Sequence, residues 1–167
     1  FYCLSKGDKN DFVVQKATEL GVHRIVFLSS RRSVVKLNQN DFDKKKIRYE
    51  KIAKEASEQS KRTIIPEIIG LYDVSNIPTH LLGDNNFVAY ETMSGKTDKT
   101  SEFFSEIART SGQISILIGS EGGLEEKEID KLIKDGFKTI SLGKRILRTE
   151  TAAVYALSVL SFILESK

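Results

Sequence analysis

The sequence predicts an α/β fold in which a mostly parallel sheet is flanked by helices. Three observations carry that reading. Short apolar, β-branched runs alternate with longer stretches whose apolar residues recur at helical spacing, as in a parallel sheet with crossover helices. Gly21 and Gly136 close two of the helical stretches, because glycine enters the left-handed position after a helix without a Cβ penalty. Two consecutive strand-loop-helix units near the C-terminus both carry glycine in the loop, at 119–123 and within 142–152.

Taken in order, residues 1–4 read as a short strand and 5–8 as its turn. A helix is predicted over 10–20 and a second strand over 24–28. Arg31 and Arg32 then stand among serines at a strand C-terminal end, where open α/β sheets place ligands. That loop suits phosphate, and it suits plain solvation equally. Residues 43–62 form an amphipathic helix, apolar at Tyr49, Ile52, Ala53 and Ala56, with a basic face that includes Lys44, Lys45 and Lys46. A third strand is expected over 64–69, with Pro66 pointing to an edge position or an early bend, and 71–85 read as loop with one helical turn at most. Residues 86–91 are a fourth strand, 92–99 a polar loop and 101–109 a helix. A buried strand over 113–118, a helix over 125–134, a last strand over 138–142 and a last helix over 152–164 complete the order.

The chain has 167 residues, of which 40% are hydrophobic and 29% charged, so one domain with one well-buried core is the natural count. No apolar run reaches the length of a membrane span and no basic-then-apolar leader is present, which predicts a cytoplasmic protein. Cys3, His23 and His80 are too scattered for metal-ligand spacing, so no metal is predicted. The net charge of +3 is a mild bias toward polyanions. Phe1 in place of Met suggests a fragment whose N-terminal part was removed.

Two loops carry chemistry. Gly119-Ser120-Glu121-Gly122-Gly123 follows a strand and opens a helix, so glycine lets the backbone approach a ligand while the helix start supplies free N–H donors. Its spacing is neither that of a nucleoside-triphosphate loop nor that of a dinucleotide fold. Leu142 to Ala152 repeats the arrangement with Gly143, two arginines and Glu150. In a parallel sheet both loops fall on one edge and line one pocket.

Gly119-x-Glu121-Gly122-Gly123 followed by Leu142-Gly143-x-Arg145-Ile146-Leu147-Arg148-Thr149-Glu150-Thr151-Ala152 resembles the small-subunit ribosomal RNA uridine-N3 methyltransferases, S-adenosylmethionine enzymes of the knotted SPOUT superfamily. Lys16-Ala17-Thr18-Glu19-Leu20-Gly21, Arg32-Ser33-Val34 and Glu58-Gln59-Ser60-x-Arg62 with Pro66 are similar to that family's other signatures in the same order, so the resemblance spans essentially the whole chain. Ser120 stands where the family usually has proline and is expected to loosen the turn; Glu125 lies near its usual serine cap. Family members usually begin with a small β-barrel, PUA-like RNA-binding domain; residues 1–167 are expected to be the SPOUT domain without it, with incomplete RNA affinity.

The resemblance implies a C-terminal trefoil knot, a homodimer and an S-adenosylmethionine pocket. Tyr90, Glu91, Thr92, Ile118, Gly119, Gly122, Gly123, Leu142, Gly143, Ile146, Leu147 and Thr149 would hold the cofactor. Uracil N3 must lose a proton as it is methylated. Arg145 or Arg148 would stabilise charge on the uracil carbonyls, and Glu121 or Glu150 would take the proton or orient an arginine. Arg31, Arg32, Arg62, Lys44, Lys45 and Lys46 would meet ribosomal RNA phosphates. Two other readings stay open: a knotted methyltransferase acting on another RNA position such as a ribose 2′-hydroxyl, and a non-catalytic RNA-binding assembly factor.

Overall fold

Strand alternation sets the layering. The structure, a computed structural model, describes residues 1–90, 105, 107, 109 and 111–165. In β2 (Arg24–Ser29), Ile25 and Phe27 enter one buried cluster while Val26 and Leu28 enter another, so both sheet faces are covered. Around β2 the order is β1 (Tyr2–Cys3), α1 (Lys9–Glu19), then α2 (Gln39–Gln59) and β3 (Glu67–Asp73). Two short 3-10 turns, Val74–Asn76 and Thr79–Leu81, lead to β4 (Asn85–Ala89). Beyond it come β5 (Ile114–Ile118), α3 (Glu126–Lys134), β6 (Phe137–Ile140) and α4 (Thr149–Glu165). Ser105, Ile107 and Arg109 are helical, and the rest of the helix expected over 101–109, like the loop expected over 92–99, lies outside the described residues.

Among the described residues the sheet has six strands in the order β3-β2-β1-β5-β4-β6, and all its pairings are parallel. Strands are added on one side of β1 and then on the other, so the order of addition reverses beside β1, the kind of switch point that opens a crevice at strand C-terminal ends. On one face α1, α2 and α4 cover Tyr2, Leu4, Phe27 and Ile118; Phe27 stacks on Tyr49 at 4.9 Å and meets Phe42 at 5.6 Å. On the other face α3 and the first 3-10 turn cover Cys3, Leu28, Val88 and Leu117.

The fold class expected from the sequence is the one observed, with several shifts in boundary; β4 ends at Ala89 rather than 91 and β6 at Ile140 rather than 142. Helix α2 starts at Gln39 rather than 43, because the Asn38 side chain caps it by accepting the Asp41 N–H at 2.9 Å. Strand β3 starts at Glu67 rather than 64 and runs on to Asp73. Ile64 and Ile65 are exposed, and pairing with β2 carries the ladder from Glu67 to Asp73, so 71–73 belong to the strand and the loop that follows holds two 3-10 turns where one at most was expected. Pro66 precedes this edge strand rather than interrupting it. Helix α4 starts at Thr149 rather than 152. Among the described residues no helix is long and apolar enough to cross a membrane.

Cys3 is fully buried in the centre of the sheet, and burial, helped by the Glu128 carboxylate, pushes its thiol from the ordinary 9.0 up to about 12. Above pH 9 the unfolded chain gives up a proton that the fold retains, so stability falls as pH rises toward 12. Between pH 8 and pH 10 the wild-type chain should lose about 1.4 kcal/mol more than Cys3→Ala. Urea unfolding at the two pH values measures the difference.

Candidate functional site

A cavity of about 550 Å³ opens at the C-terminal ends of β4, β5 and β6. Tyr90, Ile118, Gly119, Gly123, Leu142, Gly143, Ile146, Leu147 and Thr149 line it, and so do Glu121, Arg145 and Arg148. Arg32 reaches it from the loop after β2, and Lys9 from the start of α1. Glu91 and Thr92 lie outside the described residues. Glu150 and Gly122 are absent from the wall but bear on it through neighbours.

Gly122 serves a contact between loops. A Cβ there would lie 2.8 Å from the Arg32 carbonyl oxygen, so only glycine lets the two backbones meet. The contact is pinned by a buried hydroxyl cluster. Ser30 Oγ bonds Ser33 Oγ at 2.9 Å and donates to Ser120 Oγ at 3.1 Å, and Ser120 Oγ donates to the Gly123 carbonyl at 3.0 Å. Ser120, expected to loosen the turn, therefore closes it and ties it to the arginine loop.

Glu128 completes the joint. Its carboxylate is 1% exposed, and it accepts the Arg31 N–H at 2.9 Å and the Glu125 N–H at 2.7 Å. Both oxygens are thus satisfied by backbone donors, the second at the N-cap of α3. The Arg31–Arg32 loop and the glycine loop behave as one body.

The wall from β6 to α4 turns at Gly143, whose φ of +108° lies in the left-handed region. Beyond it Arg145, Ile146 and Arg148 are exposed, Ile146 at 88%, whereas Thr149 is buried. Thr149 Oγ1 accepts from the Tyr2 hydroxyl at 3.1 Å, bonds Ser5 Oγ at 3.1 Å and donates to Glu150 Oε2 at 3.2 Å. The start of α4 is thereby fixed to the centre of the sheet.

Lys9 joins the acids. Its Nζ lies 2.8 Å from Glu121 Oε1 and 3.4 Å from Glu150 Oε2. Burial acts to raise the Glu150 pKa, but its own N–H, the Lys9 ammonium and the Thr149 hydroxyl more than offset this and hold it below the ordinary carboxylate value. An acid so held is a weak proton acceptor.

The expected RNA-contacting residues are dispersed. Arg31 and Arg32 are exposed beside the cavity, Arg31 with Nε 3.9 Å from Glu125 Oε2. Lys44, Lys45 and Lys46 lie near the start of α2, Lys44 3.8 Å from Asp41 and Lys46 3.5 Å from Glu50. Arg62 donates to the Thr18 carbonyl at 2.7 Å, near the end of α1 at the opposite end of the sheet, and burial lowers its pKa. Lys9 and Glu128 were not singled out from sequence, and Ser30 and Ser33 entered only as neighbours of the arginines. Each reads locally as an ordinary helix or turn residue, and only long-range contacts give it a role.

A family model described as an RNA methyltransferase domain matches residues 1–161. The chain belongs to that family. Among relatives of this RNA methyltransferase domain, the ribosomal RNA small subunit methyltransferase E of Bacillus subtilis is 41% identical over 162 residues, 95% of this chain and 63% of that protein. The ribosomal RNA small subunit methyltransferase E 2 of Borreliella burgdorferi is 33% identical over 165 residues, 99% of this chain and 65% of that protein. The crystal structure of a Neisseria gonorrhoeae ribosomal RNA small subunit methyltransferase E bound to S-adenosyl methionine superposes with a TM-score of 0.77 at 30% identity, covering 97% of this chain and 64% of that one. A Legionella pneumophila protein solved with the cofactor SAM superposes with a TM-score of 0.83 at 33% identity, covering 96% of this chain and 64% of that one. The chain thus spans less than two thirds of each of these proteins.

Glu128→Gln leaves one of the two buried N–H groups facing an amide NH₂, a loss of about 1–3 kcal/mol. Urea unfolding should show that loss, whereas Glu126→Gln on the exposed neighbour should stay within about 0.5 kcal/mol of wild type.

Proposed function

We propose that this chain is the cofactor-binding, methyl-transferring domain of a small-subunit ribosomal RNA methyltransferase, and that the acceptor is N3 of a uridine. The observation that carries the reading is the cavity. Its volume suits a small cofactor, its walls are apolar at Ile118, Leu142, Ile146 and Leu147, and its glycine loops bring backbone donors close. The named proteins with S-adenosyl methionine or SAM bound support that choice of cofactor. In this reading the C-terminal part forms a trefoil knot, two copies form a homodimer, the RNA-binding part lies in the length this chain does not span, and the enzyme works in the cytoplasm.

S-adenosylmethionine supplies a methyl group activated by a sulfonium. The chain's own residues do the rest. Ile118, Leu142, Ile146 and Leu147 would hold the cofactor's adenine, with Tyr90, Gly119, Gly123, Gly143 and Thr149 shaping its bed. Uracil N3 sheds its proton as the nitrogen–carbon bond forms, and negative charge builds on O2 and O4. Arg145 or Arg148 stabilises that charge and so favours loss of the proton to water at the open mouth. Glu121 and Glu150, paired with Lys9, orient the site rather than accept the proton. Arg31 and Arg32, beside the mouth, take RNA phosphates, and Lys44, Lys45 and Lys46 extend that field.

Calorimetry with S-adenosylmethionine, followed by mass spectrometry of nucleosides from small-subunit RNA treated with the chain, tests the reading. Binding with appearance of N3-methyluridine is expected; a 2′-O-methylated nucleoside instead would overturn the acceptor, and lack of binding would overturn the cofactor site. Gly119→Val brings a Cβ within 3.1 Å of Leu124, a wall of the cavity, and should weaken cofactor binding about tenfold or more while costing about 1–3 kcal/mol of stability. Arg145→Met and Arg148→Met should keep cofactor affinity, and the one that stabilises the uracil anion should lose about 10²-fold in kcat.

A further inference from the structure

Lys9 belongs to none of the motifs that point to the site, yet it is the residue through which two walls of the cavity meet. Its ammonium reaches Glu121 on the glycine loop at 2.8 Å and Glu150 in the first turn of α4 at 3.4 Å. Those two acids come from the two segments that make up most of the cavity wall.

The base from which Lys9 extends is rigid. Asn10 is 6% exposed; its side chain accepts the Ser5 N–H at 3.0 Å and donates to the Ser5 carbonyl at 2.8 Å, fixing the entry to α1. Ser5 in turn bonds Tyr2 and Thr149, the residue beside Glu150. Lys9 and Glu150 thus project from one hydrogen-bonded frame, and Glu121 is drawn to it. The side chains are 30%, 25% and 17% exposed, so water screens the pair and its contribution to overall stability is small. The arrangement is suited to setting local shape instead.

We propose that Lys9 is a positioning residue for methyl transfer, clamping Glu121 and Glu150 together as anions and so holding the glycine loop against the start of α4 in the shape that the cofactor requires. This rests on the reading of the cavity as an S-adenosylmethionine site. The charged groups that share the cavity are Arg32, Arg145 and Arg148, all on exposed loop segments, with the buried Tyr2 hydroxyl behind. Lys9 alone among the cavity-lining cations is within ion-pair distance of Glu121 and Glu150. In Lys9→Met the two carboxylates lose their common counter-ion, and proton uptake by one of them relieves the repulsion.

Three variants test this. Lys9→Met should raise the KM for S-adenosylmethionine about tenfold while kcat changes about twofold or less, and it should move the acid limb of kcat/KM upward by about one pH unit. Lys9→Arg, which keeps the charge, should restore both. In Lys9→Met combined with Glu121→Gln the limb should move back only part of the way, because the repulsion is gone while the ammonium that lowers Glu150 is still missing. Carbon NMR titration of the Glu150 carboxyl group, without cofactor, reads the clamp independently of catalysis, and its midpoint should rise in Lys9→Met and not in Lys9→Arg. An unmoved midpoint would overturn the clamp, and a raised midpoint with an unchanged KM would overturn the positioning role. Failure of Lys9→Arg to restore function would also overturn it, by showing a need for the lysine itself. A wild-type chain that binds no cofactor would sink the function reading and the positioning role together, while leaving the NMR result on the clamp intact.

Discussion

The three buried hydroxyls of Tyr2, Ser5 and Thr149 hold this structure in register with itself. Tyr2 stands on the central strand β1, Ser5 follows that strand, and Thr149 opens the last helix, 147 residues after Tyr2. Tyr2 finds its partners in the other two, and losing them would leave its buried hydroxyl unpaired at a cost of about 1–3 kcal/mol. The contact spans 147 residues of chain, so its closure cost is met only together with the rest of the sheet's long-range pairings. The cavity is thus a product of the finished fold.

Around that anchor the site is built from three bodies. The arginine loop and the glycine loop are fused by Glu128, the serine cluster and the close contact at Gly122. The turn through Gly143 and the start of α4 form the second body, and the first residues of α1 the third. The start of α1 joins the start of α4 through buried bonds from Asn10 to Ser5 and from Ser5 to Thr149, and the glycine loop meets both through a partly screened ammonium and its two acids. Such a division gives firm local shape with small relative adjustments.

Most of the fold was legible because it rests on local pattern. Ile25 to Leu28 announce a doubly buried strand, and the glycines after α1 and α3 announce helix ends. Boundaries failed where partners decide. Ile64 and Ile65 are as strand-like as Ile68, but only the latter lies within the ladder with β2. The two glycine loops were legible as neighbours from parallel topology alone. Glu128 was not, since on an amphipathic helix rich in acids it looks solvated until its carboxylate meets the Arg31 N–H, 97 residues away. Lys9 was hidden for the same reason: an ammonium at a helix start says nothing of a carboxylate 112 residues later.

The contact at Gly122 has a consequence for how such a domain can change over time. Since a methyl group there would run into the main chain of Arg32, the two loops cannot be lengthened or exchanged one at a time. A transplant of one loop from a relative would arrive with the wrong mate. Variation in what this edge of the sheet recognises must therefore travel as a pair of segments, or else be confined to exposed side chains such as Arg31.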